Sequence, residues 1–264
     1  MALFKAYDIR GIVPDDLNAE KAYSIGRAIA AFMESGPIAV GRDARTHSPE
    51  LTAALIDGIR DEGLDVLDLG LVATPMLYFG VEQLSANAGV MVTASHNPGE
   101  YNGFKICRAH AVPVGEDSGL KDIEALVPKR REAAKAAKRG GISEHDVLEG
   151  YAAHALSVGE HRPPLKVVID CGNGMAAAGL GPVLDALPID VVELYFEPDG
   201  TFPNHEADPL KLENLQDVSE AVRREGADFG VAFDGDGDRA VFVDGQGDPI
   251  SADLATALIA RRIL

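Results

Sequence analysis

The run Asp234-Gly235-Asp236-Gly237-Asp238-Arg239 sets three carboxylates at alternate positions with a glycine between each pair. Glycine lets the backbone curl so that the three side chains converge. Two carboxylates ~4–5 Å apart repel by roughly 3–4 kcal/mol at an effective dielectric of 20. A divalent cation relieves that repulsion, so the pattern points to a hard metal with oxygen ligands. An EF-hand shares the spacing of Asp234, Asp236 and Asp238, but Arg239 stands where its turn glycine belongs and Gly245 where its bidentate glutamate belongs. An acidic hairpin turn is the plainer alternative.

A second polar loop, Thr93-Ala94-Ser95-His96-Asn97-Pro98, closes the apolar run Ala88-Gly89-Val90-Met91-Val92. A short apolar run bounded by glycine and Asn-Pro reads as a buried strand delivering a hydroxyl into a turn. The proline excludes a helix at Asn97, which places Ser95 and His96 on an exposed loop at the strand's carboxyl end. Open α/β sheets bind ligands there. A turn whose serine bonds its own backbone is the alternative. Ser95 lacks the G-x-S-x-G elbow, and a histidine at i+1 seldom points where a general base must stand, which disfavours a Ser–His hydrolase. A serine on one strand-end loop and three aspartates on another suit phosphoryl chemistry, with a metal bridging the aspartates and a phosphate on Ser95. A phosphoserine adds about −1.5 to −2 charge at neutral pH and itself favours a divalent partner. Arg10, Lys105 and Arg239 are the cations placed to cradle phosphate oxygens; taken singly, each is an ordinary surface charge.

Cys171-Gly172-Asn173-Gly174-Met175-Ala176-Ala177 follows a strand pattern, matches G-x-G-x-x-A, and has Glu193 about twenty residues on. A dinucleotide-binding module is therefore an alternative. A tight strand-to-helix turn that needs glycine for its backbone angles is the preferred reading.

These loops need elements to hold them. The start, Phe4 to Gly11, reads as irregular. Asn18 is an N-cap ahead of Ala22, Ile25, Ile29, Phe32 and Met33 at helical spacing, and Gly36-Pro37 ends that helix. Ile38-Ala39-Val40 is a strand, and Gly41 to Arg45 is the loop after it. Ser48 as N-cap and Pro49 at N1 open a second helix. Asp65 to Leu69 is a strand, Thr74-Pro75 starts a helix, and Gly89 to Val92 is the strand that leads to Ser95. Phe104 to Cys107 returns as a strand, helix signals run from Asp117 to Val127, and the basic stretch Lys129 to Arg139 reads as a solvated helix or linker face. A further helix begins near Ser143. The order then repeats: strand Leu165 to Asp170, helix Met175 to Leu187, strand Ile189 to Tyr195, helix Leu210 to Glu225, strand Asp228 to Phe233. This diverged internal repeat puts the Ser95 and Asp234 loops at equivalent positions of two doubly wound α/β/α domains with mixed sheets. The expected divisions are 1–150 with the serine loop, 151–250 with the aspartate loop, and 251–264 as the amphipathic start of a third copy. The helix from Ser251 has no terminal cap or following strand, which reads as a chain cut short.

At 264 residues the chain is long enough for two domains, and 46% hydrophobic with 25% charged residues is the balance of a globular protein. A net charge of −18 argues against sequence-independent binding to nucleic acid or an anionic membrane. The first ten residues carry Lys5, Asp8 and Arg10 without an apolar signal core, and no stretch reaches the ~20 apolar residues of a membrane span. Cys107 and Cys171 read as free buried thiols, and the cytosol is the expected compartment.

Five motifs in order, Lys5-Ala-Tyr-Asp-Ile-Arg-Gly11, Gly41-Arg-Asp43, Thr93 to Pro98, Tyr101-Asn-Gly-Phe-Lys105 and Asp234 to Arg239, resemble the α-D-phosphohexomutases, above all their phosphomannomutase/phosphoglucomutase branch. The likeness also takes in Asp170-Cys-Gly-Asn-Gly174 and Phe202-Pro-Asn-His205. It implies that Ser95 carries phosphate and that Mg²⁺ is held by that phosphate with Asp234, Asp236 and Asp238. Lys105 and His96 match residues assigned to proton transfer and active-site support. Arg10 and Tyr7 match residues near the reacting phosphate and sugar, and Arg239 one close to the phosphoserine. The implied reaction interconverts hexose 1- and 6-phosphates through a hexose 1,6-bisphosphate. Sugar phosphates are then the partners, and phosphoglucosamine mutase is the rival within the family. The family has four domains, so the resemblance implies that the carboxyl-terminal ones are missing and that this chain alone is inactive. Ala44 and the longer Arg45-Thr46-His47-Ser48 depart from the family pattern in a structural loop.

Overall fold

Asn18 stands ahead of the first helix in extended conformation, and its side chain accepts a hydrogen bond from the Lys21 amide, satisfying one of the helix's free donors. The computed structural model describes residues 3–158 and 163–263. The chain folds as two units, one of Met1–Ala94 and Gly99–Tyr151, the other of Ser95–Pro98 and Ala152–Leu264. The sequence expectation placed the serine loop with residues 1–150; by packing, its tetrapeptide groups with the second unit.

The first unit comprises β1 (Ile9–Ile12), α1 (Ala19–Met33), β2 (Ile38–Arg42), α2 (Ser48–Asp61), β3 (Val66–Leu71), α3 (Thr74–Gln83), β4 (Ala88–Val92), β5 (Tyr101–Arg108), α4 (Leu120–Glu132) and β6 (Ile142–Glu144); the division between the units falls within α5 (Leu148–Ser157). Its sheet runs β1-β5-β4-β2-β3-β6, parallel from β4 to β6 and antiparallel at β5 and β1. Every residue of β4 is buried, as its unbroken apolar run requires of a central strand. Ile25 and Ile29 of α1, Leu51, Leu55 and Ile59 of α2, and Leu120 and Ile123 of α4 pack with Val40, Val90 and Phe104. On α3, Leu77 and Val81 lie over Gly41 and Gly89 of the sheet.

The second unit comprises β7 (Leu165–Asp170), α6 (Ala176–Asp185), β8 (Ile189–Leu194), α7 (Gln216–Glu225), β9 (Phe229–Phe233), β10 (Ala240–Asp244) and α8 (Ala252–Ile263), with a sheet ordered β10-β9-β7-β8. Alternation along the strands divides its core. Val168 and Ala232 pack with Val218, Ala221 and Val222 of α7, whereas Val167, Ile169 and Val231 pack with Ala176 and Leu180 of α6. Both units are α/β/α with mixed sheets. The equivalence is complete through four strands: β5-β4-β2-β3 in one unit matches β10-β9-β7-β8 in the other.

Four local expectations give way. Residues Ile9–Ile12 form a strand, because their backbone pairs with the open edge of β5 although the sequence around them is mixed in polarity. Ser48 is inside α2 and His47 precedes it; the Ser48 hydroxyl bonds Asp43 at 2.5 Å instead of capping the helix. Ser143 lies in β6, which takes up the free edge of β3. The basic stretch is only partly a solvated face. The buried guanidinium of Arg27 donates to the Ala133 and Ala134 carbonyls at 2.9 and 3.0 Å, and Lys135 meets Asp61 at 2.6 Å. Among the described residues no helix is long and apolar enough to cross a membrane, and both cysteines are free and buried. Burial pushes the Cys107 thiol up to about 11 and raises Cys171 further.

Candidate functional site

β9 ends at Phe233, and its continuation curls so that Asp234 accepts from the Asp238 and Arg239 amides on one carboxylate oxygen, at 3.1 and 3.0 Å. Gly237, at φ +73°, supplies the left-handed turn this requires. One oxygen from each of Asp234, Asp236 and Asp238 lies within 4.8 Å of the others. Asp234 and Asp236 are fully buried, and Asp238 reaches solvent. Burial, reinforced by the neighbouring Asp236 and Asp238 charges, lifts the Asp234 carboxyl to about 7. Three convergent carboxylates, two of them desolvated, form a donor set suited to a hard divalent cation.

Ser95 stands against this loop. Its Oγ donates to the second carboxylate oxygen of Asp234 at 2.7 Å, and it is buried, where the sequence suggested exposure. The aspartate loop covers it, a burial that a strand-end turn read in isolation does not reveal. Ser95 also holds φ +54°, a left-handed conformation that costs a non-glycine residue energy and recurs at functional sites. The Nδ1 of His96 lies 3.4 Å from Ser95 Oγ and 2.9 Å from an Arg239 Nη. The Arg239 Nε stands 3.9 Å from both Asp234 and Asp238. Six of the expected site residues therefore meet in the second unit: Ser95, His96, Asp234, Asp236, Asp238 and Arg239.

The other three lie in the first unit. Arg10 on β1 pairs in register with Gly103 on β5, and Lys105 is two residues on, so both side chains leave the same face of the sheet. Arg10 forms an ion pair with Asp8. Tyr7 is 86% exposed.

Gly235 is where the loop is gripped. A Cβ there would stand 2.4 Å from the Ser95 carbonyl oxygen, and a Cβ on Gly174 would stand 2.9 Å from the Gly235 Cα. The glycine-rich turn after β7 is thus filled by the chain itself. Asn173 accepts from Asn204 at 2.7 Å and donates to the Glu197 carbonyl at 2.9 Å. This favours the tight-turn reading over a dinucleotide cradle.

Two buried carboxylates, Asp43 and Asp170, lie in the quoted motifs but carried no expected site role. Asp43, directly after β2, bonds Arg45, Ser48 and Thr93, all buried. Asp170, at the end of β7, faces His205 at 3.1 Å. The available signal was the repeat: each first strand runs into an aspartate.

Residues 1–134 match the family described as phosphoglucomutase/phosphomannomutase, alpha/beta/alpha domain I, and residues 149–247 match its domain II. A phosphomannomutase/phosphoglucomutase of Pseudomonas syringae is 44% identical over 99% of this chain and 56% of its own length. A protein of Xanthomonas campestris named for phosphohexose mutases is 43% identical over 99% of this chain and 58% of its own. The chain thus spans a little over half the length of these curated relatives. The crystal structure of a phosphoglucomutase/phosphomannomutase family protein from Burkholderia thailandensis superposes with a TM-score of 0.92 at 36% identity, covering 100% of this chain and 59% of that one.

Proposed function

The chain belongs to the phosphoglucomutase/phosphomannomutase family, and on that premise we propose that it carries the phosphate-bearing serine and the metal ligands of a hexose phosphomutase. The reaction interconverts hexose 1-phosphate and hexose 6-phosphate, with a hexose 1,6-bisphosphate between them. The observation that carries this reading is the 2.7 Å contact of Ser95 Oγ with Asp234, inside a cluster of three carboxylates. A metal there requires oxygen ligands and a site that stays acidic, and the residues present fit both. Asp234, Asp236 and Asp238 would hold Mg²⁺ together with a phosphate on Ser95. Bound there, Mg²⁺ would neutralise charge on the phosphate oxygens.

The chain's own groups do the rest. Phosphorylated Ser95 gives its phosphoryl group to the free hydroxyl of the hexose monophosphate, whose proton is taken up as the serine hydroxyl re-forms, and the product is the 1,6-bisphosphate. Ser95 Oγ then takes the other phosphoryl group from the bisphosphate, so the hexose leaves with phosphate at the other position. Arg239 brings a permanent positive charge beside the serine, and His96, bonded to it, supports the loop. Lys105 and His96 would serve proton transfer and active-site support, and Arg10 and Tyr7 would lie near the reacting phosphate and the sugar. The names of the relatives favour mannose and glucose phosphates as substrates. Turnover by these 264 residues alone is expected to be negligible, because positioning of the substrate supplies most of the rate in such a transfer.

Incubation with glucose 1,6-bisphosphate and Mg²⁺, followed by intact-mass and peptide analysis, tests the proposal. Phosphate confined to Ser95, and lost in Ser95→Ala, is the expected result. Failure of Ser95 to take or carry phosphate overturns it.

A further inference from the structure

Asp170 is fully buried at the end of β7 and is held from two sides. One carboxylate oxygen accepts from the Gly172 amide at 2.8 Å, and the other faces His205 Nε2 at 3.1 Å. The second ring nitrogen of His205, Nδ1, faces the Glu206 carbonyl at 2.8 Å. Both ring nitrogens therefore meet acceptors, and only the imidazolium form has a proton for each. The Tyr195 ring meets His205 edge-on at 5.4 Å, and the Tyr195 hydroxyl is turned away to Asp217 at 2.7 Å. The hydrogen bond to Asp170 raises the imidazolium's pKa above its ordinary value.

This pair ties together two stretches of chain that close on one residue of the metal loop. On one side the Met175 amide donates to the Gly235 carbonyl at 3.0 Å; on the other the Gly235 amide donates to the Ala207 carbonyl at 3.2 Å. The Asn204–Asn173 bond at 2.7 Å crosses between the same two stretches. Gly235 sits between Asp234 and Asp236, so its two main-chain bonds set where those carboxylates leave the backbone. We propose that His205, as an imidazolium on buried Asp170, is a positioning residue that latches the 171–175 turn and the 202–207 segment onto Gly235 and so holds the three aspartates in ligating geometry.

The inference rests on the metal reading of the Asp234 loop, and two measurements separate the two. The first is Mn²⁺ binding to the full chain, followed by electron paramagnetic resonance, for wild type, His205→Ala, Asn204→Ala and the control Tyr195→Phe. Loss of an outer-shell partner weakens metal binding by about tenfold or more, so both latch variants are expected to bind Mn²⁺ about tenfold more weakly, with Tyr195→Phe unchanged. The second needs no metal. Amide exchange at Asp238 and Arg239, whose N–H groups bond Asp234, is expected to quicken in the latch variants while β7 and β9 keep their protection, and ¹⁵N spectra of His205 at pH 7 are expected to show both ring nitrogens protonated. A neutral His205, or unchanged exchange in both variants, overturns the latch. Wild type that fails to bind Mn²⁺ overturns the metal reading and leaves exchange to decide the latch.

Discussion

The two units solve one problem in two ways. Each carries, at or directly after the end of its first parallel strand, an acidic residue that is buried and must be matched by a positive group. In the first unit Asp43 is matched by Arg45, whose side chain is itself wholly buried and also donates to the Tyr101 carbonyl at 3.1 Å. In the second, Asp170 is matched by His205, which keeps 14% of its side chain exposed. A guanidinium is charged at every pH a protein survives, whereas an imidazolium is not. The same topology therefore carries a permanent clamp in one copy and a titratable one in the other. The third strands differ as well. β4 runs into neutral Thr93 and Ala94, and β9 runs into Asp234 and its cluster of three carboxylates.

Asp43→Ala leaves the Arg45 charge buried without its carboxylate, a change that costs about 3–5 kcal/mol. Denaturant unfolding that resolves the first unit is expected to show that loss, and a loss below 1 kcal/mol would mean that Arg45 finds other compensation.

The acidic loop comes next. Asp234 has a raised folded pKa of about 7, so the metal-free folded state binds more protons than the unfolded chain between about 4 and 7, and stability falls as pH rises through that window. Asp236→Asn removes one repulsive neighbour and is expected to gain about 2 kcal/mol in metal-free protein at pH 7.5, and to abolish the stabilisation that Mg²⁺ is expected to give wild type. Thermal melts with and without Mg²⁺ read both effects.

The smallest difference concerns His205. Its folded pKa is raised, so its contribution is complete below the unfolded value of 6.5 and disappears as pH climbs through the folded value. His205→Asn is expected to cost about 1 kcal/mol at pH 6, after allowing for partial exposure, and to match wild type at high pH. A cost that does not change with pH would remove the contrast with Arg45.

Much of this was legible in residue order. The unbroken run Ala88 to Val92 became a central strand because only a strand flanked on both sides and covered on both faces buries every residue. Asn18 acted as a cap because its side chain serves the helix three residues on, a local bond that needs no tertiary partner. Ser48 failed as a cap for the opposite reason: Asp43 and Asn102, brought close by the fold, compete for its hydroxyl. Ile9–Ile12 and Ser143 were missed because edge strands are chosen by the backbone they pair with more than by their own side chains.

The sequence by itself determined the two-copy α/β plan, the three aspartates converging around glycines and the serine after a strand, since these depend on periodicity and on backbone freedom within a few residues. Only the tertiary structure decided that Ser95 is buried against Asp234, 139 positions away, that His96 meets Arg239, and that Gly235 is gripped from both sides. Such contacts cost chain entropy that local sequence cannot repay; the burial and hydrogen bonds gained on packing offset it.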